Sequence, residues 1–259
     1  MKFVKMHGLG NDFIIIDSRK ESLEGMDLAQ LAVKFCDRHF GIGADGILIA
    51  LPSSNADVKM RIFNSDGSEA EMCGNGIRCF AKYIYEGLDK KKELISVETL
   101  AGTMLPSMIE HKGKLAIVEV DMGEPKDIKM AKVKGYDATL VSMGNPHCVI
   151  FSDDLNKIDL AATGPNIETD KMFPKRTNVE FVKIENRKEI TIKVWERGAG
   201  ETLACGTGAC ASVVAGVKAN KLDREVLVHL PGGNLDIEWQ EDGHVILRGP
   251  AETVFEGSI

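Results

Sequence analysis

Two stretches of the chain place apolar residues at helical spacing directly after a cysteine and a Gly-x-Gly pair. Behind Cys73 the apolar residues recur three or four positions apart, as one face of a helix requires: Ile77, Phe80, Ala81, Ile84 and Leu88. Behind Cys205 the residues 209–217 are small and apolar on nearly every side, which predicts a helix buried all round. Both cysteines are therefore expected at the N-terminus of a helix.

Most other apolar runs alternate with polar residues or are rich in β-branched residues, which is typical of strands. The pattern predicts strands at 2–6, 12–17, 47–51, 58–64, 94–99, 103–109, 114–120, 139–143, 148–151, 179–184, 189–195, 226–230, 235–239 and 245–248. Two further helices are predicted, one from Leu28 to near His39 and one over 159–169. The residues from Met122 onward are polar and rich in lysine, which indicates a linker.

The order of these elements favours an α+β fold. Strands do not alternate with helices, as a doubly wound parallel sheet would require. The cysteine stretch at position 73 recurs 132 residues later, at position 205, and each half has many strands around one central helix. We expect an N-terminal domain of residues 1–115, to which 249–259 return, and a C-terminal domain of residues 116–248. Each domain would carry one of the two cysteines.

The composition is that of an ordinary globular protein, with 44% hydrophobic and 27% charged residues. A net charge of −7 argues against a nucleic-acid surface. No apolar run approaches the ~18 residues of a membrane span, and the first residues lack a signal-peptide core. We therefore expect a cytoplasmic protein that binds neither nucleic acid nor membrane.

The six cysteines are expected to be thiols in such a reducing compartment. No Cys-x-x-Cys pair occurs, which weakens a zinc-ribbon or thioredoxin-like interpretation. Four of them are interpreted as small core residues: Cys36, Cys79, Cys148 and Cys210. Cys73 and Cys205 differ, because a helix N-terminus binds anions and lowers the pKa of a nearby thiol.

Two equivalent thiols suit the inversion of a stereocentre by proton transfer. That reaction needs a base on one face of the carbon and an acid on the other, and the roles exchange in the reverse direction. Negative charge that develops on a neighbouring carboxylate would be stabilised by the N–H groups of two helix N-termini. Cys73 and Cys205 are therefore candidate acid/base catalysts.

Polar residues in nearby turns are candidate ligand contacts, although each also has a structural interpretation. Turn asparagines are commonly structural, and this applies to Asn11, Asn64, Asn75, Asn145 and Asn178. Arg197 follows Glu196 at a strand end, where it can grip a carboxylate or form a surface ion pair. His147 can tune a thiol or be a hydrogen-bonded core histidine.

Together these motifs resemble the diaminopimelate epimerase family along essentially the whole chain. The resemblance rests on His7-Gly-Leu-Gly-Asn-Asp-Phe13, Phe63-Asn-Ser-Asp-Gly67, Cys73-Gly-Asn-Gly76 with Arg78-Cys79, Gly144-Asn-Pro-His147, Thr177-Asn-Val-Glu180, Glu196-Arg-Gly198 and Cys205-Gly-Thr-Gly208. It implies two pseudo-symmetric domains, each a barrel-like, mostly antiparallel sheet around a central helix, with the site in the cleft between them. It also implies cofactor-independent epimerisation of LL-diaminopimelate to the meso isomer, in lysine and peptidoglycan precursor synthesis.

The resemblance assigns roles residue by residue. Cys73 and Cys205 would be the acid/base pair, and Glu196 with His147 would adjust the pKa values of the thiols. Glu196 would also contact the substrate amino group. The remaining substrate contacts would be Asn11, Asn64, Gly74, Asn75, Asn145, Asn178, Arg197, Gly206 and Thr207. No metal or cofactor is implied, and a homodimer is the expected assembly.

One departure from the family pattern is Gly46, where many relatives carry glutamine. A side-chain contact cannot be transferred to this position, so only a backbone contact remains. Two alternatives stay open at this point. The first is another cofactor-independent racemase or isomerase of the same fold, and the second is a thiol-based redox or metal-binding protein that uses Cys73 and Cys205.

Overall fold

The computed structural model describes residues 1–259, and the chain divides into two compact units. Unit 1 comprises Met1–Val120 and Gly249–Ile259, and unit 2 comprises Asp121–Arg248. The sequence places this division at 115/116, whereas the strand that begins at Leu115 continues to Asp121. Each unit is described in turn.

Unit 1 contains two helices and most of its strands in one continuous stretch of chain. In order they are β1 (Lys2–Gly8), β2 (Asn11–Asp17), α1 (Leu28–Cys36), β3 (Gly46–Leu51), β4 (Val58–Asn64), β5 (Glu69–Ala70), α2 (Gly74–Gly87), β6 (Val97–Thr99), β7 (Gly102–Met104), β8 (Ser107–Lys112) and β9 (Leu115–Asp121). The last strand of the chain, β18 (Val245–Ser258), begins in unit 2 and ends in unit 1, where Lys2–His7 pair antiparallel with Glu252–Ser258.

The β1–β2 connection is a two-residue hairpin turn. Leu9 and Gly10 have φ values of 58° and 86°. Positive φ at both central residues gives the turn the twist of the flanking strands. The hairpin pairs Gly8 with Asn11, so Asn11 stands at its tip, as the sequence predicts.

Unit 2 repeats this plan with two more helices. Its elements are β10 (Lys126–Val133), β11 (Tyr136–Ser142), β12 (Pro146–Phe151), a single 3-10 turn (Leu155–Lys157), α3 (Leu160–Glu168), β13 (Asn178–Asn186), β14 (Glu189–Glu196), β15 (Gly200–Thr202), α4 (Gly206–Lys218), β16 (Glu225–Leu230) and β17 (Gly233–Trp239). Antiparallel pairing of β17 with the start of β18 completes the sheet of this unit.

The two units follow the same sequence of strand pairings, and α+β is the fold class of both. In unit 1 an antiparallel β1–β2 pair leads through α1 to a parallel β2–β3 pair, and β3–β4 leads through α2 to a parallel β4–β6 pair. In unit 2, β11–β12, β12–β13, β13–β14 and β14–β16 have the corresponding directions, with α3 and α4 in the crossovers. Each unit is therefore a mostly antiparallel, barrel-like sheet around the second of its helices.

The two central helices are both deeply buried. In α2 the residues Ile77, Phe80, Ala81 and Ile84 are buried. Nine of the ten residues from Gly206 to Ala215 are also buried, with Thr207 the exception. All residues of α2 from Gly74 to Lys82 are buried, including Arg78, so this helix is packed on more sides than its apolar periodicity predicts. Helix α4 is buried all round, as predicted.

The structure differs from the predictions in four segments. The strand predicted at 245–248 continues to Ser258 as β18. The segment predicted as a linker after Met122 is the strand β10, which pairs antiparallel with β11 while most of its residues stay exposed. The predicted strand 103–109 is divided at Leu105-Pro106 into β7 and β8. Helix α1 stops at Cys36, because the Asp37 side chain accepts hydrogen bonds from the N–H groups of His39 and Phe40 and forms a turn. No helix of the chain is both long enough and apolar enough to cross a bilayer.

Candidate active site

Cys73 is the residue that caps the N-terminus of α2. Its extended backbone (φ −141°, ψ 123°) lets the sulfur accept a hydrogen bond from the Gly76 N–H at 3.5 Å. The thiol is half-buried and donates to the Asn11 Oδ1 at 3.7 Å. The first N–H groups of a helix have no acceptor within it, and they carry the positive end of its dipole. A partly accessible thiol thus lies at a helix end that favours anions.

Asn11 and Asn75 form the polar surroundings of Cys73. The Asn75 Nδ2 donates to Asn11 Oδ1 at 3.1 Å, and Arg78, which is fully buried, donates to Asn75 Oδ1 at 2.9 Å. Asp45 accepts from the Asn11 Nδ2 at 2.8 Å. Both amide side chains are therefore fixed in orientation by charged neighbours, and the tip of the β1–β2 hairpin is tied to the start of α2.

Asn64 and Gly46 lie next to this hairpin tip. They are paired across β3 and β4, and the N–H of Ser65 donates to Asp45 O at 3.0 Å. Asn64 is exposed and donates to Ser68 Oγ. A Cβ atom at Gly46 would lie 2.7 Å from the carbonyl oxygen of Phe63, so a side chain there requires β4 to move. This contact gives the physical reason for glycine at the departure noted in the sequence.

Cys205 caps α4 in the same way in unit 2. Its backbone is extended (φ −123°, ψ 111°), and its sulfur accepts from the Gly208 N–H at 3.4 Å. The Thr207 hydroxyl lies 3.5 Å from the sulfur. Cys205 is only 5% exposed. Gly206 is buried and Thr207 half-buried in the first turn of the helix, where the sequence places them.

The pKa of Cys205 is shifted in the direction opposite to the prediction. Burial raises the pKa of this thiol well above its ordinary value, and the carboxylates of Glu196 and Glu180 raise it further, while hydrogen bonds from Thr207 and Gly208 act in the opposite direction. The lowered pKa expected at a helix N-terminus is therefore wrong for Cys205. The helix end is outweighed because the buried sulfur faces two acidic side chains.

Glu196 ends strand β14 close to Cys205. It accepts a hydrogen bond from the Thr202 hydroxyl at 2.6 Å. Burial raises the pKa of Glu196, and hydrogen bonds from Thr202 and Cys205 oppose that rise. A carboxylate in hydrogen-bond contact with the thiol can adjust the protonation of that thiol, which is the role that the family resemblance implies for Glu196.

His147 is fully buried in β12 and bonded on both ring nitrogens. Nδ1 lies 2.7 Å from the Glu180 Oε1, and Nε2 lies 2.9 Å from the Asn145 Oδ1. The Asn145 Nδ2 donates to the Thr207 hydroxyl at 3.2 Å. The structure therefore brings Asn145 and His147 to the N-terminus of α4, beside Cys205.

Asn178 and Arg197 lie side by side at the ends of β13 and β14. The Asn178 Nδ2 donates to Pro146 O, and its Oδ1 accepts from the Arg197 backbone N–H, both at 2.9 Å. The Arg197 guanidinium is exposed and donates only to the Lys175 carbonyl oxygen, at 3.3 Å. The surface ion pair weighed in the sequence is absent, so the cation is not neutralised within unit 2.

Four residues close to these groups received no role from the sequence: Asp45, Arg78, Glu180 and Thr202. Glu180 had a usable signal, because it interrupts the apolar run Val179–Val182 in a strand whose neighbours are all buried. Asp45 holds Asn11 from a distant part of the chain, whereas Arg78 holds Asn75 and Thr202 holds Glu196 over short separations. None of these polar contacts follows the apolar periodicity that a single sequence shows. No group of three or more His, Cys, Asp or Glu side chains is arranged to hold a metal ion.

The sequence profile of diaminopimelate epimerases matches residues 3–128 and 139–254. The chain belongs to the diaminopimelate epimerase family. A diaminopimelate epimerase of Pelotomaculum thermopropionicum is 55% identical, with 99% of this chain and 98% of that protein covered. One of Methanococcus maripaludis is 48% identical, with 100% and 99% covered.

Solved structures at low identity share the fold. A phenazine biosynthesis protein of the PhzF family from Bacillus anthracis has a TM-score of 0.76 at 16% identity. The match covers 100% of this chain and 98% of that protein. A hydroxyproline epimerase from Agrobacterium vitis has a TM-score of 0.72 at 14% identity, with 99% and 91% covered. At such identities the likeness establishes the two-unit fold of diaminopimelate epimerases and no more.

Proposed function

We propose that the chain is an isomerase that converts LL-diaminopimelate to meso-diaminopimelate without a cofactor, in lysine and peptidoglycan precursor synthesis. One observation carries the proposal: each unit presents a cysteine at the same place, capping the central helix behind Gly-x-Gly. Relatives about half identical over their whole length are named diaminopimelate epimerases. The proposal assigns Cys73 to unit 1 and Cys205 to unit 2.

In the proposed reaction one thiolate removes the α-proton and the other thiol delivers a proton to the opposite face of the carbon. The C–H electron pair passes into the neighbouring carboxylate as a carbanion forms, and it returns to carbon when the second proton arrives. The first sulfur ends as a thiol and the second as a thiolate, so the roles are exchanged after each turnover. Both sulfurs must reach the same carbon for this exchange.

The helix ends would stabilise the developing charge. Backbone N–H groups of Gly74, Asn75, Gly206 and Thr207 belong to the first turns of α2 and α4. Donors fixed before the reaction lower its barrier more than solvent does, and a single such donor is worth about 3–4 kcal/mol in other enzymes. The proposed mechanism therefore needs only side chains and backbone groups of this chain.

The distal amino-acid end of the substrate would be held by the polar residues around the two turns. Arg197 offers a guanidinium that pairs with no carboxylate of the protein and suits a bidentate contact with the substrate carboxylate. Glu196 would bind an amino group, and Asn11, Asn64, Asn145 and Asn178 would complete the set. We further propose a cytoplasmic homodimer as the working form.

Incubation of the purified chain with LL-diaminopimelate in heavy water tests the proposal. Deuterium should appear at the α-carbon of the meso product, and activity should persist in the presence of a chelator. Inversion of proline instead would favour another racemase of this fold. Absence of both reactions, with reversible thiol oxidation or metal uptake, would favour the thiol-protein alternative.

Replacement of either cysteine by alanine should abolish epimerisation and leave the fold intact. Inversion requires a donor and an acceptor at once, so neither variant should retain measurable turnover. Serine variants should also be severely impaired, because a hydroxyl is a far weaker acid than a thiol. Circular dichroism and thermal melting verify folding, and Cys148→Ala, a change at a buried thiol outside the site, is the matched control. Near-normal turnover in Cys73→Ala or Cys205→Ala would refute the two-base mechanism.

A further inference from the structure

Glu168 is the last residue of α3, and its carboxylate is buried against the turn that follows β14. One oxygen, Oε2, accepts a hydrogen bond from the indole N–H of Trp195 at 2.7 Å. The other, Oε1, accepts from the backbone N–H of Gly198 at 3.0 Å. The exposed guanidinium of Arg176 lies 3.4 Å from the same oxygen. Both oxygens are therefore occupied by donors, and two of these donors lie on either side of Arg197.

The backbone of Arg197 is held from both directions. Its own N–H donates to Asn178 Oδ1 at 2.9 Å, and the next N–H along the chain, that of Gly198, donates to Glu168. The peptide groups before and after the Arg197 Cα atom are thus both fixed by side chains. The root of the arginine side chain is therefore anchored, although its guanidinium is exposed and donates only to the carbonyl oxygen of Lys175.

Helix α3 itself gains nothing from a glutamate at its last position. The C-terminus is the negative end of the helix dipole and disfavours an anion. Burial of a carboxylate also costs free energy, which its hydrogen bonds must offset. The helix already closes through Thr169, whose backbone N–H and hydroxyl both donate to Pro165 O. The carboxylate of Glu168 therefore serves the turn after β14 rather than the helix that carries it.

Unit 1 has the corresponding turn without a carboxylate behind it. After β4 the N–H of Gly67 donates to Asn64 O at 2.9 Å, as the N–H of Ala199 donates to Glu196 O at 3.1 Å after β14. Helix α1 meets the turn of unit 1 at Gly67, where a Cβ atom would lie 3.1 Å from the carbonyl oxygen of Ala29. The fold therefore does not need a buried carboxylate to form this turn.

We propose that Glu168 is a positioning residue for Arg197. It holds the peptide group that follows Arg197 and the indole of Trp195 that precedes it, and it leaves the guanidinium unpaired because its oxygens are occupied by other donors. The proposal rests on the proposed epimerase function and deepens it. The distal carboxylate of diaminopimelate would be bound by an arginine whose backbone is anchored to α3. Recognition of a second carboxylate then depends on a residue that does not contact the substrate.

Glu168→Gln tests this role with a side chain of the same size. An amide has a single acceptor oxygen, so either the indole N–H of Trp195 or the N–H of Gly198 loses its acceptor. KM for diaminopimelate should rise by about tenfold, below the roughly hundredfold that a misplacement of about 1 Å can cost. The kcat value should change little, because the contact with the distal carboxylate is the same in the ground state and the transition state.

The double variant of Glu168→Gln and Arg197→Ala separates positioning from a structural role. If Glu168 acts through Arg197, its replacement should raise KM no further once the guanidinium is absent. A structural role would instead reduce the folded fraction, which lowers the apparent kcat with or without Arg197 and leaves KM unchanged. Equal rises of KM in the presence and in the absence of Arg197 would overturn the proposal.

Glu189→Gln is the matched control. Glu189 is the first residue of β14, at the end of the strand away from Arg197. Its carboxylate also has two partners, because it accepts from Asn186 Nδ2 at 2.9 Å and lies 2.7 Å from His229 Nε2. This variant should leave KM unchanged. Glu168→Asp, which keeps the charge and is shorter by one methylene group, should raise KM as Glu168→Gln does. It carries the comparison if Glu168→Gln does not fold.

Hydrogen exchange measured without substrate keeps this test separate from the proposed function. In the wild type the Gly198 amide and the Trp195 indole N–H should both exchange slowly. In Glu168→Gln one of them should exchange faster by about tenfold or more, since hydrogen bonds to a charged acceptor are among the stronger ones. Unchanged exchange would overturn the anchoring even if KM rises.

The kinetic outcomes distinguish the two proposals. A normal KM in folded, active Glu168→Gln and Glu168→Asp would overturn the positioning role and leave the epimerase function standing. A wild-type chain that does not invert diaminopimelate would overturn the proposed function, and the role of Glu168 in substrate binding with it.

Discussion

At the scale of single residues, the two thiols share a position and differ in their surroundings. Cys73 is half-buried and bonded to Asn11, whereas Cys205 is buried and faces Glu196 and Glu180. The sequence predicted both cap positions because the signal is local: a cysteine, two glycines and an apolar helix. Glu180 received no role although it interrupts an apolar run, because its contact with His147 depends on the parallel pairing of β12 with β13 across the α3 crossover.

The carboxylate of Glu196 should set the titration of Cys205. A negative charge beside the sulfur disfavours the thiolate, so Glu196→Gln removes one cause of the raised pKa. Above the raised pKa of Glu196 this carboxyl group is charged in the wild type. The pKa of Cys205 should therefore be lower in the variant than in the wild type. The measurement is thiolate absorbance against pH, taken as the difference between each protein and its Cys205→Ser form.

The matched control for this titration is Glu201→Gln, an exposed glutamate five residues further along the chain, in β15. It should leave the curve of Cys205 in place. A curve that does not move in Glu196→Gln would mean that burial alone holds the thiol protonated.

Arg197 should contribute to substrate binding rather than to stability. Arg197→Ala is expected to weaken diaminopimelate binding by about 2–4 kcal/mol, because a desolvated substrate carboxylate is left unpaired. Thermal stability should stay unchanged, since the guanidinium forms no ion pair within the protein. Steady-state kinetics and melting curves measure both effects.

Arg176 provides the contrast, because it is exposed and pairs with Glu168. Arg176→Ala should alter binding by much less than Arg197→Ala does. Equal kinetics for Arg197→Ala and the wild type would show that Arg197 is a surface residue without a role in substrate binding.

At the scale of elements, the sequence was accurate wherever periodicity and burial agree. The predicted span 159–169 differs from α3 by one residue at each end, because Asp159 caps the helix and Thr169 closes it. The prediction from sequence failed for β10. The residues of this strand are mostly exposed, and it is a strand only because β11 lies beside it. A strand stabilised by its neighbour rather than by its own apolar face has no periodic signature.

The first turns of α2 and α4 should respond differently to the same substitution. In Gly208→Ala the new Cβ would lie 2.8 Å from Glu180 Oε1 and 3.3 Å from the Cys205 sulfur. The carboxyl group is buried and bonded to His147, so a displacement of this group costs free energy. We expect a loss of roughly 1–3 kcal/mol of stability from overpacking and a kcat/KM lower by about tenfold or more.

Gly76→Ala is the matched change in unit 1, where the new Cβ meets its nearest neighbours at 3.4 Å. Ordinary contact of this kind, together with the helix preference of alanine, predicts unchanged or slightly raised stability. Denaturant unfolding and steady-state kinetics of the two variants give the comparison. Equal effects would show that the glycines serve backbone freedom and not the space in front of Glu180.

At the scale of the whole molecule, the chain passes between the units twice, after Val120 and after Arg248. Unit 1 is thus built from two separate segments, and its last strand arrives from unit 2. Hydrophobic pattern ended the predicted strand at Arg248, because the residues beyond it alternate poorly. The strand β18 instead continues to Ser258 through backbone pairing with β1, which side-chain patterns do not reveal.

The return of β18 should contribute measurably to the stability of unit 1. Lys82 in α2 is fully buried, and its ammonium group donates to Glu86 at 2.6 Å and to the Thr253 hydroxyl at 2.7 Å. Thr253→Val preserves volume and removes one acceptor from a buried charge. Such a loss costs on the order of 1–3 kcal/mol. Urea unfolding should show this decrease, and limited proteolysis should release the C-terminal segment sooner.

Thr103→Val, at an exposed position of the same unit, should do neither. If the two variants unfold alike, the cation of Lys82 is satisfied by Glu86 alone, and the backbone pairing with β1 is what retains β18.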